Sequence, residues 1–240
     1  MKVSSKEFYK ELRATLGPLM KAAQFKPIKG GTLGWHRPAA EGVLSVWFQV
    51  DKWGWNERWG SQFTLDLTSG AGPGAQARPS RSERIGYLLE GFDDLDQLRR
   101  RNNAVVARLP GTLNGQLVLG KLGDGRDYVV EGYRVEAEKL ELGTDLWLNY
   151  YTLDDAREWA QYFEANLLRF VDMYENETRS ELGQGRVRFN RVMAAAQALP
   201  SDQHARKLAL FEEMVRDEPV AYWKSAAAFW ADEVRKKRAP

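Results

Sequence analysis

The sequence predicts an α+β protein: an antiparallel sheet packed by helices, with an all-helical C-terminal appendage. Two periodicities carry that expectation. Between residues 43 and 68 apolar side chains alternate with polar ones, as in a half-buried strand. On either side they recur at steps of three and four, as on one face of a helix. After Glu177 only the helical period remains. The chain therefore divides near residue 179, into an α+β body at 1–178 and a helical extension at 179–240.

Residues 5–23 read as the first helix, with Phe8, Leu12, Leu16, Leu19 and Ala23 on one stripe. Ser4 or Ser5 can cap its start by accepting a free backbone N–H. Gly17-Pro18 predicts a kink, because proline lacks an N–H. A short strand near 32–37 precedes two longer ones at 43–51 and 61–68. Leu44, Val46, Phe48 and Val50 share one face of the first, and Phe63, Leu65 and Leu67 one face of the second. The hairpin loop between them holds Trp53, Trp55, Arg58 and Trp59. Residues 69–82, SGAGPGAQARPSRS, have the composition of a mobile loop.

A short apolar run at 85–89 leads to a helix at 93–107, whose Asp93, Asp94 and Asp96 suit the positive end of the helix dipole. Strands are expected at 113–121, 127–136 and 144–151, with a turn at Gly123-Asp124-Gly125. Thr152-Leu153-Asp154-Asp155 resembles a capping box with Asp155 in place of Glu or Gln. It opens a helix to about 176 that buries Ala156, Ala160, Phe163, Leu167, Phe170 and Tyr174. Three further helices are predicted at 186–199, 202–217 and 220–236, with start signals at Ser201 and at Asp217 or Glu218 before Pro219.

An opening KEFYKEL…LGPLMKAAQFK, a step into WHR, the strands VLSVWFQVDK and QFTLDL, then RIGYLL and LWLNYYTLDDAREWAQYF, resemble the bacterial family known as domain of unknown function 4304. The likeness covers roughly residues 1–175 and consists of structural positions, so it brings no catalytic motif. The Trp-rich loop, the Gly/Pro loop and the C-terminal helices match nothing in that family. Small α+β families of this kind often resemble immunity proteins that accompany bacterial toxins, and the resemblance implies a setting in toxin immunity or defence.

The 240 residues are 43% hydrophobic, enough to bury a core, and contain no cysteine. Disulfides, thiolate metal sites and cysteine nucleophiles are thereby excluded. The opening MKVSSKEFYKEL has no apolar run behind its lysines, and no stretch approaches a membrane span. The expectation is a cytoplasmic protein without a signal peptide or membrane partner.

His36 and His204 share no metal-ligand spacing. Gly70-Ala71-Gly72-Pro73-Gly74 is followed by Ala75-Gln76 rather than the Lys-Ser/Thr of a phosphate loop. Asp124, Arg126 and Asp127 lack the spacing of a calcium loop. No G-x-S-x-G elbow occurs, and Glu136-Ala137-Glu138-Lys139 has the wrong spacing for a nuclease. The sequence therefore predicts no enzyme, no cofactor and no metal site.

Two features remain that suit a partner. Residues 124–178 hold 14 acidic and 5 basic side chains, a net −9 in a chain of net +2. Such a field steers basic partners, and Asp145, Asp154, Asp155 and Glu158 are its candidates for contact with a basic toxin or defence-complex subunit. The plainer account is a solvated acidic face folded against basic neighbours. The loop of Trp53, Trp55, Arg58 and Trp59 supplies the residue types enriched at binding hot spots. Its plainer account is that one or two of the rings fold back onto the sheet, or under the C-terminal helices. The alternative function is nucleic-acid binding through Arg78, Arg81, Arg84, Arg99, Arg100 and Arg101, with the basic C-terminus.

Overall fold

A computed structural model describes residues 2–40, 42–73, 79–113, 116–121, 127–129 and 146–236, with backbone alone at 79–80, 113, 116–121 and 127–129. Two compact units emerge: Met1–Leu88 with Asp93–Thr178, and Leu89–Phe92 with Arg179–Pro240. Each has its own core.

The first unit opens with α1 (Ser5–Ala22). Ser4 Oγ accepts the Glu7 N–H at 3.2 Å, and the Glu7 carboxylate accepts the Ser4 hydroxyl at 2.7 Å and the Ser4 N–H at 2.8 Å, a capping box in which the last two bonds hold the exposed Glu7 carboxyl below its usual pKa. The helix runs through Pro18, preceded by Gly17, which has no Cβ to meet the proline ring. β1 (Lys26–Pro27), β2 (Leu33–Ala39), β3 (Gly42–Val50), β4 (Ser61–Gly70) and β5 (Pro79–Arg84) form an antiparallel sheet in sequential order. α2 (Ile85–Leu88) and α3 (Asp93–Val106) follow. β6 (Thr112–Leu113), β7 (Gln116–Lys121) and β8 (Asp127–Val129) make a second antiparallel sheet. β9 (Leu148–Tyr150) returns to the first sheet beside β4, and α4 (Leu153–Glu175) closes the unit.

β4 is the hub of that sheet. One edge pairs with β3 from Phe63↔Val50 to Gly70↔Val43. The other carries β9 on Ser61–Phe63 and β5 on Asp66–Gly70. The expected loop at 69–82 is thus partly strand. Ser69 and Gly70 extend β4 because both of its edges have partners there, and Pro79 opens β5, where a missing N–H is tolerated. The core lies between the sheet and α1 and α4. Phe63 packs on Phe8 at 4.7 Å and on Trp159 at 5.6 Å between ring centroids, and Phe48 meets Phe163 at 5.2 Å.

The second unit is helical: α5 (Glu181–Ala198), α6 (His204–Asp217) and α7 (Ala221–Lys236). α5 starts five residues earlier than its apolar stripe suggests, because Ser180 caps it by accepting the Gly183 N–H at 3.0 Å. Ser201 is not the cap of α6, which begins at His204. A Cβ on Gly185 would lie 2.3 Å from Trp223 Cδ1, so the close approach of α5 and α7 requires glycine. The same helices are joined by Trp223 Nε1, which donates to the Leu182 carbonyl at 2.8 Å. Leu89–Phe92 belongs to this unit: Ser180 donates to the Glu90 carbonyl, and Arg186 pairs with the buried Glu90 carboxylate at 2.7 Å.

No helix among the described residues is long and apolar enough to cross a membrane.

Candidate functional site

The β3–β4 connection, residues 51–60, is short in regular structure and rich in internal bonds. Asp51 starts it by accepting the Trp53 N–H on its carboxylate and the Gly54 N–H on its carbonyl. Asn56 and Gly60 exchange backbone bonds at 2.6 and 2.8 Å, and the Asn56 side chain accepts the Arg58 N–H at 2.8 Å. Outside the loop, Gly111 N donates to Arg58 O at 2.7 Å and Tyr151 Oη donates to Glu57 O at 3.1 Å. Gly60 sits at φ +68, and a Cβ there would lie 2.2 Å from the Tyr150 carbonyl oxygen. Only glycine serves at that point.

The three indoles divide. Trp55 donates Nε1–H to Tyr151 O at 3.1 Å and packs on the Tyr151 ring at 5.2 Å. Trp59 packs with Tyr151 on Val105, Val106 and Leu109. Both are half-buried. Trp53 alone stands out, 78% exposed, with Lys52 Nζ 4.9 Å from its ring centroid. Arg58, in the same loop, is also exposed.

Open grooves flank Trp53. One, about 450 Å³, is lined by Gln49, Asp51, Lys52, Trp53, Gln62 and Trp147. The other, about 520 Å³, runs past Trp53, Trp55 and Tyr9 to the start of α1. Burial raises the Tyr9 phenol, and raises that of Tyr150, in the second groove, to about 12. Both stay protonated at neutral pH.

The acidic candidates fare differently. Asp155 is buried, a correction to its expected place on an exposed acidic surface. Its carboxylate accepts the Tyr151 and Thr152 N–H groups at 2.8 and 2.7 Å and takes Arg108 at 2.6 Å. Those bonds fix the start of α4, a role the capping-box spacing also indicated. Asp154 is exposed and pairs with Arg157 at 2.8 Å, while Glu158 lies 3.8 Å from Arg108. Glu175 meets Arg37 and Glu177 meets Arg81. Five carboxylates of the acidic block therefore face arginines of this chain. Asp145 lies outside the described residues, as does the predicted turn at 123–125.

Four arginines of the alternative reading, Arg81, Arg84, Arg99 and Arg101, have partners within the chain. Arg81 lies over the Tyr174 ring at 3.9 Å and donates to the Tyr174 carbonyl. Arg84 pairs with Asp66 at 3.3 Å and lies over Trp147 at 5.2 Å. Arg99 is 3.7 Å from Asp96, and Arg101 lies over Tyr162 at 5.1 Å. Arg100 is exposed, and Arg78 lies outside the described residues. Of the basic C-terminus, Arg235 pairs with Glu212 and Asp232, and Lys236 with Glu233.

His36 lies half-exposed on β2 and His204 opens α6. Among the described residues no three His, Asp or Glu side chains are grouped to hold a metal ion.

Comparison with family models, with curated proteins and with solved structures finds no match to this chain.

Proposed function

We propose that this is a binding protein whose contact is made by the 51–60 hairpin with Trp53 at its centre, and that the partner is another protein. The observation that carries this is the exposure of Trp53 on a loop whose backbone is already fixed. A mobile loop would lose entropy on binding; this one is tied at Asp51, Asn56, Glu57, Arg58 and Gly60 before any partner arrives. An exposed indole on such a base is the usual form of a hot spot, since it buries a large rigid area at little entropic cost. Arg58, exposed in the same loop, is of the other residue type enriched at such contacts.

Charge has a smaller part in this reading than the −9 block suggests, because much of the described portion is matched by arginines. Asp154 and Glu158 remain as exposed acids that favour a basic partner. The likeness of residues 1–175 to the domain of unknown function 4304 family supports a setting in bacterial toxin immunity or defence.

A photocrosslinking residue in place of the exposed Glu57, in the cells that make the protein, tests the proposal. A discrete protein adduct is expected, and it is expected to disappear when Trp53→Ala is added. No adduct, or one unaffected by Trp53→Ala, overturns the reading.

A further inference from the structure

The helical unit leaves aromatic rings outside its core. On α7 the buried residues Trp223, Ala227 and Ala231 recur every four positions and pack against α5 and α6. A second set lies about 130° around the same helix: Tyr222, Ala226 and Phe229, continued by Glu233. Its steps of four, three and four are those of a coiled-coil seam. Tyr222 is 48% exposed and Phe229 59%, with Trp230, 37% exposed, at the rim. Each ring rests against a neighbour. Tyr222 stands edge-on to Trp223 at 5.0 Å, Phe229 edge-on to Trp230 at 5.9 Å, and Trp230 stacks over buried Phe211 at 6.5 Å. Rings braced in this way have less freedom to lose on contact.

We propose that α7 pairs with the α7 of a second copy of this chain, antiparallel, about a twofold axis between Ser225 and Ala226. The seam is its own complement around that point. Tyr222 and Phe229 stand equally far from it along the helix, so Tyr222 of each copy meets Phe229 of the other. Ser225 and Ala226 cross at the axis, where small side chains let two helices approach to about 8 Å.

Charge selects the occupant and its direction. Among the described residues, the cations at the end of the seam are matched within the chain: Lys236 by Glu233 at 2.8 Å, and Arg235 by Asp232 and Glu212. That disfavours an anionic membrane or a nucleic acid on this face. Two copies set in parallel would bring Glu233 against Glu233. Set antiparallel, Glu233 passes Tyr222 and reaches the start of the other copy's α7. The first turn there has no acidic residue, and the positive end of its dipole favours a carboxylate. Glu218, just before that turn, is already matched by Arg188 at 2.8 Å. Aromatic side chains present about 150–250 Å² each, so the exposed parts of the three rings amount to roughly 300 Å² per copy. That is under half of the ~800 Å² per partner in a standard interface, which makes this a reversible dimer rather than a permanent one.

The experiment is sedimentation equilibrium of the full chain over a range of concentrations. A monomer–dimer equilibrium is expected, with a dissociation constant on the order of 10–100 μM. Tyr222→Ser and Phe229→Ser, made separately, are each expected to weaken it about tenfold. Both positions are exposed, and urea unfolding midpoints close to the parent's show that the variants fold. The chain has no cysteine, so a single introduced thiol can link only to its own counterpart. Ser225→Cys, at the axis, is expected to give a disulfide-linked dimer on mild oxidation. Lys224→Cys, exposed on the opposite side of α7, is expected to stay unlinked. Trp53→Ala is expected to leave the dimer intact, which separates failure of this face from failure of the hairpin contact. A chain that stays monomeric up to about 500 μM overturns the proposal. So does a dimer that survives Phe229→Ser unchanged, that is lost with Trp53→Ala, or that links equally through both thiols.

Discussion

Trp55 and Tyr151 are locked together: the indole N–H donates to the Tyr151 carbonyl at 3.1 Å while the rings pack 5.2 Å apart. This contact ties the hairpin to the residue just before the Thr152 cap of α4. The division of labour in the loop therefore has a thermodynamic signature. Trp55→Ala is expected to destabilise the chain by about 2–3 kcal/mol, somewhat under the cost for a fully buried aromatic ring. Trp53→Ala is expected to change stability by less than about 0.5 kcal/mol, as exposed substitutions do. Urea unfolding of the two variants checks this, and equal losses would place Trp53 in the fold rather than at a contact.

The neighbours Asp154 and Asp155 are expected to behave oppositely. Asp155→Ala leaves the Tyr151 and Thr152 N–H groups without their acceptor and Arg108 without its closest carboxylate. Loss of a helix cap costs about 0.5–2 kcal/mol, and loss of a buried hydrogen bond to a charge raises the total to about 2–3 kcal/mol. Asp154 makes an exposed pair with Arg157 three residues on, for which Asp154→Ala costs at most about 0.5 kcal/mol. Thermal unfolding followed by circular dichroism distinguishes them.

What the sequence made legible was whatever is local. α1 and α4 are readable because an apolar stripe follows a capping box, at Ser4–Glu7 and at Thr152–Asp155. β3 and β4 are readable from alternation. β5 was hidden, since a Gly/Pro/Ser-rich segment has the composition of a loop and becomes a strand only by pairing with β4. The place of Leu89–Phe92 in the helical unit was equally hidden, since four residues carry no period and their partners Ser180 and Arg186 lie some ninety positions away. Composition pointed to the tryptophan loop but not to which indole stays outside, which depends on Tyr151 and the end of α3. Alternation showed that Gln62, Thr64 and Asp66 share a polar face but not that Thr64 and Asp66 are buried.

Two glycines test close approach in separate units. Gly60→Ala combines a positive φ with a Cβ 2.2 Å from a backbone oxygen that cannot step aside. The left-handed conformation alone costs about 1–2 kcal/mol, and the clash adds to it. Gly185→Ala drives a methyl to 2.3 Å from Trp223 Cδ1, and overpacking of this kind costs about 1–3 kcal/mol. Hydrogen exchange is expected to show loss of protection around β3, β4 and β9 in the first variant. In the second, the loss is expected in α5 and α7.

Alkaline pH offers a check on the body's core. Tyr150 and Tyr162 are buried, and burial, the leading cause, raises each phenol from 10 to about 12. The folded state therefore holds these protons more tightly than the unfolded chain. Stability from this source is complete below about pH 10 and falls as pH climbs toward 12. Tyr150→Phe keeps the ring that stacks on Phe8 at 4.1 Å and removes the titrating hydroxyl. Its unfolding free energy is expected to decline less steeply over that window than the parent's. The phenolate absorbance of the parent is expected to rise in a late step absent from the variant. A parent and variant with parallel stability profiles would show that Tyr150 titrates like a solvent-exposed phenol.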